Sequence, residues 1–403
     1  MRFWVPNIDW ARPKELGKLI TEFEDQSGLA VKVSAMEWST LPQKLLVAVA
    51  GNASPDVVLY AYDNTVSWAS KGIIRPVESL LPPAARARDL YPDGLLQSMI
   101  HRKKLFAVPF DFQLRGLFWN IDLLQQAGLP SAAAPRDLVT LDVYAAKLTK
   151  VDANKGFSPL GFYPTLANWY LQGWFAAFGG GLFDWAEGRP QVDTPENLQC
   201  LGWMDQYARL YPIAAVNRFY SSAGGREWDA FARGKLAIQA QAATYIPLMR
   251  KEFPKLAFET GRVPHAPGGR NGIWAGCLNL VVPTSAKNLK GAGQLIAFLV
   301  SERVQERWYK LSERFPGNLK AHDKIVFDDP QIKNIFVQAR EINARPPHYD
   351  LFAGPLDKLT NAVMNRTQSP AQALKAAQDE LDKAFRSLKL DESWKIPLVD
   401  LSD

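Results

Sequence analysis

Two aromatic rings, a carboxylate and an amide stand at the end of a predicted buried strand. They are Tyr60, Tyr62, Asp63 and Asn64, and the strand closes the segment KLLVAVAGNASPDVVLY. In that segment an apolar helix pattern ends at a Gly-Asn pair, a Pro-Asp pair makes a turn, and β-branched residues follow. Ligands of open α/β sheets lie at the carboxyl ends of such strands. The sequence therefore predicts a binding cleft whose side chains can stack on a small molecule and hydrogen-bond it.

Hydrolytic and metal chemistry lack their usual groups. The histidines, His101, His265, His322 and His348, are isolated, and neither a G-x-S-x-G elbow nor an H-E-x-x-H helix occurs. The enzyme class that stays open is a glycoside hydrolase, but no carboxylate pair of the required separation can be singled out. We therefore expect no enzyme activity, no metal and no cofactor.

Two other patterns have structural interpretations. Gly179-Gly180-Gly181 follows a helix and lacks the Lys-Ser/Thr of a phosphate loop, which indicates a helix stop. Cys200 and Cys277 show no metal spacing and are too few for a disulfide framework, so we expect buried thiols. A bond between these two cysteines stays an open alternative.

The composition is that of a globular protein with two or three domains. The chain has 403 residues, of which 47% are hydrophobic and 22% charged. Its net charge of +6 comes from 47 basic residues scattered among 41 acidic ones, so no nucleic-acid partner is expected. The densest basic run, Arg102-Lys103-Lys104, is interpreted as a solvated hairpin turn.

Targeting signals are not evident in the sequence. No apolar run approaches the roughly 18 residues that a membrane span requires. The beginning, MRFWVPNIDW, lacks the apolar core and the cleavage site of a signal peptide. This beginning is compatible with a cytosolic protein and with an exported protein whose leader has been removed.

Strands and helices alternate along the first 110 residues. One βαβ unit consists of the strand RFWVP, a helix carrying Leu16, Leu19, Ile20 and Phe23, and the strand VKVSA. The same scheme is repeated by the helix 40–50, the strand 56–60 and the helix 64–71. This order predicts a parallel sheet with right-handed crossovers.

A second α/β unit begins with the strands LFAVPF and LRGLFWN after Leu105. Helices are predicted over 166–178 and 195–210, strands at KLAIQAQ and GIWAGCLNLVVP, and mostly helix in the C-terminal quarter. Long linkers are absent from the pattern, so the two lobes must be joined by short crossing strands, which act as hinges.

Several segments resemble one known family in the right order. These segments are KLLVAVAGNASPDVVLY, LFAVPFDFQLRGLFWNIDLLQQAGLP, FARGKLAIQAQAATYIPLM, CLNLVVPTSAKNLKGAGQLIAFLVSERVQERW and AVMNRTQSPAQALKAAQDELDKAF. They are similar to segments of the extracellular solute-binding proteins of bacterial ABC importers, of the maltodextrin and glycerophosphate type. The chain departs from that family at Thr140-Leu141-Asp142-Val143, where a tryptophan usually follows the threonine. It also departs at Arg102-Lys103-Lys104, where a glycine commonly makes the hairpin.

The resemblance implies an α/β protein of two lobes with a ligand cleft between them and a helix-rich C-terminal part. Lobe 1 is expected to comprise 1–111 and 274–322, and lobe 2 to comprise 112–273 and 323–403. Such a protein captures a carbohydrate by hinge closure and delivers it to a membrane permease. It is a periplasmic or extracytoplasmic monomer, with or without a lipid anchor. The alternative ligand is a glycerophosphodiester or another phosphorylated polyol.

The family's cleft positions, carried over residue by residue, give a candidate ligand-binding set. Aromatic faces stack on the C–H faces of sugar rings, while carboxylates, amides and guanidiniums hydrogen-bond the hydroxyls. The set is Asn7, Trp10, Trp38, Tyr62, Asp63, Asp111, Tyr163, Trp169, Tyr245, Trp274, Gly276 and Arg314.

Some of these positions have a competing structural explanation. Asp63 could cap the helix that follows it, and Trp169 lies in an aromatic stripe typical of a core. Asp111 lies in an apolar strand, where it must meet either an arginine of the protein or hydroxyls of a ligand. Arg314 could be a surface arginine, or could favour acidic or phosphorylated groups if it reaches the cleft.

The tryptophans divide by position. Trp38 and Trp274 stand at strand ends, where exposure in a cleft is expected. Core packing is predicted for the others that have strand or helix positions, namely Trp4, Trp119, Trp174, Trp203, Trp228, Trp308 and Trp394.

Overall fold

The structure, a computed structural model, describes residues 1–8, 11–86, 88–133, 135–151, 156–167, 170–224, 226, 228–325 and 329–388. Within them the strands are β1 (Arg2–Pro6), β2 (Lys32–Met36), β3 (Val57–Ala61), β4 (Ile74–Arg75), β5 (Ile100–His101), β6 (Lys104–Leu105), β7 (Ala107–Gln113), β8 (Arg115–Asn120), β9 (Phe183–Asp184), β10 (Arg189–Pro190), β11 (Ile238–Ala242), β12 (Phe258–Gly261), β13 (Gly276–Pro283) and β14 (Phe315–Pro316).

The α-helices of the same residues are α1 (Pro13–Ser27), α2 (Leu41–Ala50), α3 (Thr65–Ser70), α4 (Pro83–Arg86), α5 (Asp93–Gln97), α6 (Ile121–Gln126), α7 (Leu138–Leu148), α8 (Leu171–Ala177), α9 (Pro195–Leu210), α10 (Ile213–Ser222), α11 (Asp229–Ala232), α12 (Ile246–Glu252), α13 (Leu289–Leu299), α14 (Glu302–Ser312), α15 (Leu319–His322), α16 (Pro330–Phe336), α17 (Asp350–Met364) and α18 (Pro370–Arg386).

A large mixed sheet begins with the predicted βαβ units. Its order is β14-β7-β13-β3-β1-β2, with β4 paired to β13. β1 pairs in parallel with β2 and with β3, which confirms the parallel arrangement predicted for these strands. β13 returns from late in the chain and lies antiparallel between β3 and β7. Helix α1 buries its predicted apolar face and ends at Gly28, whose φ of 70° stops a helix.

The second sheet is small and antiparallel, with β8 between β11 and β12. Phe118 of β8 packs against Phe231 and Phe258, with ring centroids 6.2 and 6.0 Å apart. The C-terminal helices α17 and α18 pack on each other and on α9, and α16 packs on β12. The helix-rich C-terminal part therefore packs on the body that contains the small sheet.

The chain passes between the two sheets over one single-residue segment and one longer segment. Leu114, which is fully buried, alone separates β7 of the large sheet from β8 of the small one. The chain returns between the end of β12 at Gly261 and the start of β13 at Gly276. These crossings lie close to the predicted lobe boundaries at 111 and 274, and the boundaries themselves stay a prediction.

Local predictions are mostly confirmed. Arg102 and Lys103 have φ angles of 49° and 62° and turn the hairpin between β5 and β6. The glycine run follows the end of α8, and Gly179 has a φ of 91°, so it stops the helix as predicted. The helix predicted over 166–178 is wrong in its first part. Ala167 has a φ of 62°, which no α-helix accommodates, and α8 begins only at Leu171.

Most of the tryptophans predicted for the core are buried. Trp119, Trp174, Trp203, Trp228 and Trp308 are buried. Trp4 is half-buried on β1, and Trp394 lies outside the described residues. Cys200 and Cys277 are buried and unbonded, and burial raises the pKa of both thiols.

Candidate ligand-binding cleft

A cavity of about 800 Å³ lies where the ends of the two sheets meet. Its size is within the range of roughly 300–1,000 Å³ that small-molecule sites occupy. Side chains that follow strands of both sheets line it, together with side chains from 345–360, a segment that includes most of α17. Its aromatic and charged lining consists of Trp38, Tyr62, Tyr170, Trp174, Tyr245, Trp274, Tyr349, Arg12, Asp63, Arg115, Arg314, Arg345 and Asp357.

Tyr62 and Asp63 follow β3 into the cleft, as the strand-end rule predicts. The buried Tyr62 hydroxyl donates a hydrogen bond to the carbonyl oxygen of Ala275, 2.8 Å away. The Asp63 carboxylate pairs with the guanidinium of Arg345, Oδ1 to Nη1, at 2.6 Å. Helix α3 has no side-chain cap, so the capping explanation for Asp63 is wrong. Burial raises the pKa of Asp63, although Arg345 and Arg115 act in the opposite direction.

Trp274 lies just before β13 and is only 4% exposed. The guanidinium carbon of Arg115 lies 3.5 Å from the centroid of its ring, and that of Arg345 lies 4.8 Å away. Tyr170, half exposed, meets the indole at a steep angle with centroids 4.7 Å apart. The expectation of an exposed Trp274 is therefore corrected: the residue lines the cleft, but guanidinium groups pack against its ring.

Arg345 contacts several of the aromatic and acidic side chains that line the cleft. Its guanidinium carbon lies 4.0 Å from the ring centroid of Tyr349 and 5.0 Å from that of Tyr62. Burial disfavours its charge, but the neighbouring Asp63 overcomes this, so that the pKa of Arg345 is raised. Arg345 is therefore a fixed cation in the cleft wall.

Asp111 and Arg314 form a buried ion pair beneath the cleft. The Arg314 Nη2 to Asp111 Oδ1 distance is 2.5 Å, and Trp308 Nε1 donates to Oδ2 at 3.0 Å. Asp111 has no exposed surface and Arg314 is 2% exposed. The placement of Asp111 among ligand contacts is therefore corrected, because its carboxylate is taken by the protein. Arg314 is not a surface residue, and part of its side chain reaches the cleft wall.

Trp38 and Tyr245 offer partly exposed rings on opposite sides of the cleft. Trp38, in the turn after β2, packs on Tyr60 with centroids 4.4 Å apart. Tyr245, after β11, stacks on Trp228 at 5.8 Å with the planes 21° apart. Each ring is thus held from behind by another aromatic residue, which leaves surface toward the cavity. Gly276 lies beside the Arg115 guanidinium.

The remaining predicted residues do not line the cleft or cannot be placed. Asn7 is exposed and its Nδ2 donates to Glu37 Oε1 at 3.1 Å. Tyr163 is 1% exposed and its hydroxyl donates to the Tyr211 carbonyl oxygen at 3.1 Å, which makes it a core residue. Tyr163 is therefore a correction to the candidate set, whereas a ligand contact of Asn7 stays a prediction. Trp10 and Trp169 lie outside the described residues.

Four cleft residues were not predicted from the sequence, namely Arg115, Tyr170, Arg345 and Tyr349. Arg115 carried a usable signal, because a charged side chain in an apolar strand must find a partner or a ligand, the argument applied to Asp111. Arg345 and Tyr349 belong to a proline-containing segment before α17, and only the tertiary fold brings that segment to the cleft.

Comparison with known families decides the assignment. The model of the family described as bacterial extracellular solute-binding protein matches residues 18–334, most of the chain. The chain belongs to that family. Its members are binding proteins located outside the cytoplasm, as the resemblance implied.

Individual relatives are distant but cover most of the chain. A mannitol-binding protein of Pseudomonas aeruginosa is 26% identical, over 95% of this chain and 92% of that protein. An sn-glycerol-3-phosphate-binding periplasmic protein of Agrobacterium fabrum is 22% identical, over 80% of this chain and 75% of that protein. The solved structure of CpMnBP1 with mannotriose bound superposes with a TM-score of 0.82 at 24% identity, covering 94% of this chain and 99% of that one. The predicted two-lobed α/β fold is thereby confirmed.

Two features are absent from the residues that the structure describes. Helices long and apolar enough to cross a membrane were not found among them. The same residues contain no group of three or more His, Cys, Asp or Glu side chains that could hold a metal ion.

Proposed function

We propose that this protein is the substrate-binding component of an ABC importer, that it captures a carbohydrate between its two lobes, and that it delivers this ligand to a membrane permease. The observation that carries the proposal is the cleft itself: partly exposed Trp38 and Tyr245 face a cavity whose wall also carries guanidinium and carboxylate groups. Rings for stacking and charged groups for hydroxyls are what a sugar requires. Relatives named for mannitol and for galactooligosaccharides support it.

Ligand capture requires no chemical step. A ligand that contacts both lobes binds the closed form more tightly than the open form, and the equilibrium shifts by that difference in affinity. Leu114 and the return segment before β13 are the joints about which such closure would occur. We further propose that the protein works as an extracytoplasmic monomer.

A thermal-shift screen over neutral sugars, polyols, uronates and sugar phosphates tests the proposal. A specific ligand raises the melting temperature by mass action, and isothermal titration calorimetry on the hits gives the affinity. Closure should also reduce the radius of gyration in small-angle X-ray scattering. Replacing Trp38 with Ala should weaken binding of the hit by about 1 kcal/mol, the value typical of an aromatic contact.

The decisive contrary results are of two kinds. A panel that changes neither melting temperature nor scattering radius would contradict carbohydrate capture. Release of a shortened or hydrolysed product from a bound saccharide would instead support the rival class of glycoside hydrolases.

A further inference from the structure

His348 is a buried histidine in the segment that carries two of the cleft residues. It directly precedes Tyr349 and follows Arg345 by three positions, and both of these line the cleft, whereas His348 does not. We call residues 345–349 the wall segment. Only 2% of the surface of His348 is exposed, and its φ of 55° is uncommon for a residue other than glycine. Such a conformation persists only where the surrounding structure holds it.

The imidazole of His348 packs against α18. It meets the ring of Phe385 edge-on, with the centroids 6.2 Å apart. Its Nε2 is buried and has no hydrogen-bond partner among the described residues. A neutral imidazole carries one N–H, but in the cation both nitrogens donate, and Nε2–H would then be buried without an acceptor among those residues. The surroundings of the ring therefore favour its neutral form.

The charges around the ring mostly act in the same direction. Burial is the largest cause of the shift in its pKa, and positive charge at Lys71, at the end of α3, and at His101, on β5, adds to it. Asp350, in the first turn of α17, acts in the opposite direction. The N-terminal end of a helix also disfavours a nearby cation. Together these influences lower the pKa of His348 to about 4.

Hydrogen bonds join the wall segment to its neighbours on both sides of His348. The Arg345 N–H donates to Ser98 Oγ at 3.0 Å, and its guanidinium pairs with Asp63. The carbonyl oxygen of His348 accepts from the N–H of Leu351, in the first turn of α17, at 2.9 Å. A displacement of His348 would therefore disturb the position of Arg345 on one side and the start of α17 on the other.

We propose that His348 is a pH-sensitive switch in the cleft wall. The neutral ring keeps the wall segment packed in place, whereas protonation in an acidic medium releases the segment, so that Arg345 and Tyr349 leave their positions in the cleft. The inference concerns the protein without ligand and goes beyond the proposed function, because it does not depend on which molecule the cleft binds.

Linkage between protonation and packing sets the size of the effect. The packed arrangement favours the neutral ring, so its advantage is complete above the ordinary pKa of 6.5 and is lost as the pH falls toward 4. From these two pKa values, a conformation in which the ring is solvated gains about fiftyfold in population, relative to the packed one, between pH 7 and pH 4.5.

Hydrogen–deuterium exchange of the full chain, measured by mass spectrometry, tests the proposal. The reporters are the hydrogen-bonded amides of Arg345, Leu351 and Phe352. Labelling times are scaled for the pH dependence of intrinsic exchange. We expect the protection of these amides to fall by about fiftyfold between pH 7 and pH 4.5. At pH 4.5 they should also be less protected than the amides of β11 and β12, which shows that the opening is local.

Two variants and one matched control assign the effect to His348. His348→Asn removes the titrating group, and asparagine readily adopts a positive φ. The protection of the reporter amides should then be almost independent of pH over this range. His348→Gln serves if the first variant folds poorly. The control is His322→Gln, which removes another buried histidine whose pKa is lowered to about 4 and should keep the fall seen in the wild type.

Three results would overturn the inference. The first is a wild-type protection of the reporter amides that does not change with pH. The second is a fall that persists in both His348 variants, which would point instead to Asp63, the buried partner of Arg345. The third is a fall that His322→Gln abolishes, because exchange would then follow unfolding of the whole protein. The wild-type and His322→Gln profiles are decisive even if neither His348 variant folds. None of these results bears on the proposed function, which is tested by ligand binding at pH 7.

Discussion

The ion pair between Asp111 and Arg314 is expected to stabilise the fold rather than to bind ligand. Both side chains are almost fully buried, and the two carboxylate oxygens are taken by Arg314 and by Trp308 Nε1. Replacing Arg314 with Met keeps most of the side-chain volume but leaves a carboxylate in an apolar environment with one remaining donor. Breaking a buried pair in this way typically costs about 3–5 kcal/mol.

A double-mutant cycle measures this contribution. Arg314→Met and Asp111→Asn should each destabilise the protein, because each leaves the other side chain buried without its opposite charge. The double variant should lose clearly less than the sum of the two, because it leaves no buried charge unpaired. Urea unfolding followed by far-ultraviolet circular dichroism gives each free energy of unfolding without depending on tryptophan emission.

Two results would refute this reasoning. A loss below about 1 kcal/mol in Arg314→Met would mean that the pair is solvated or rearranged. A cycle that is additive within about 0.5 kcal/mol would mean that the two side chains do not interact.

Three further predictions follow from the same structure. Trp274→Ala should cost about 3–5 kcal/mol of unfolding free energy because the indole is buried, whereas Trp38→Ala should cost much less; equal losses in urea unfolding would contradict this. Burial lowers the pKa of His322 to about 4, so the neutral ring stabilises the fold above its ordinary pKa of 6.5, and this stabilisation, at most about 3 kcal/mol, is lost as the pH falls toward 4. The stability advantage of the wild type over His322→Gln should therefore shrink between pH 7 and pH 4.5, and a constant difference would argue against it. Cys200 and Cys277 should resist a thiol reagent in the native protein and both react after denaturation, so rapid native labelling would show that burial is incomplete.

The sequence predicts the order of the elements well because periodicity is a local signal. The face of α1, its end at Gly28 and the flanking strands β1 and β2 all follow from a few neighbouring residues. The place of β13 in the large sheet does not follow locally, since its partners β3 and β7 lie far away in the chain. Here the family resemblance, rather than the periodicity, predicted that late residues return to the first lobe.

The cleft is predictable in kind but less so residue by residue. Tyr62 lines it because it follows the carboxyl end of β3, a position that the topology rule identifies, whereas Tyr245 and Gly276 were predicted from the family resemblance. Asp111 and Arg314 are 203 residues apart, and only the folded chain shows that each is the other's partner. Tyr163 fails for a related reason: an aromatic residue in the irregular segment before α8 can face the core or the cleft, and its surroundings decide.

Arg345, a residue that was not predicted, joins parts of the cleft that are distant in the chain. The charges expected to meet a ligand, Asp63, Asp111 and Arg314, are each paired with another side chain of the protein. The partner of Asp63 is Arg345, whose guanidinium also lies near the rings of Tyr62 and Tyr349. Asp63 and Tyr62 follow a strand of the large sheet, whereas Arg345 and Tyr349 belong to the segment before α17. A ligand that leaves the pair of Asp63 and Arg345 intact would therefore bind without losing the contact that joins that segment to the large sheet.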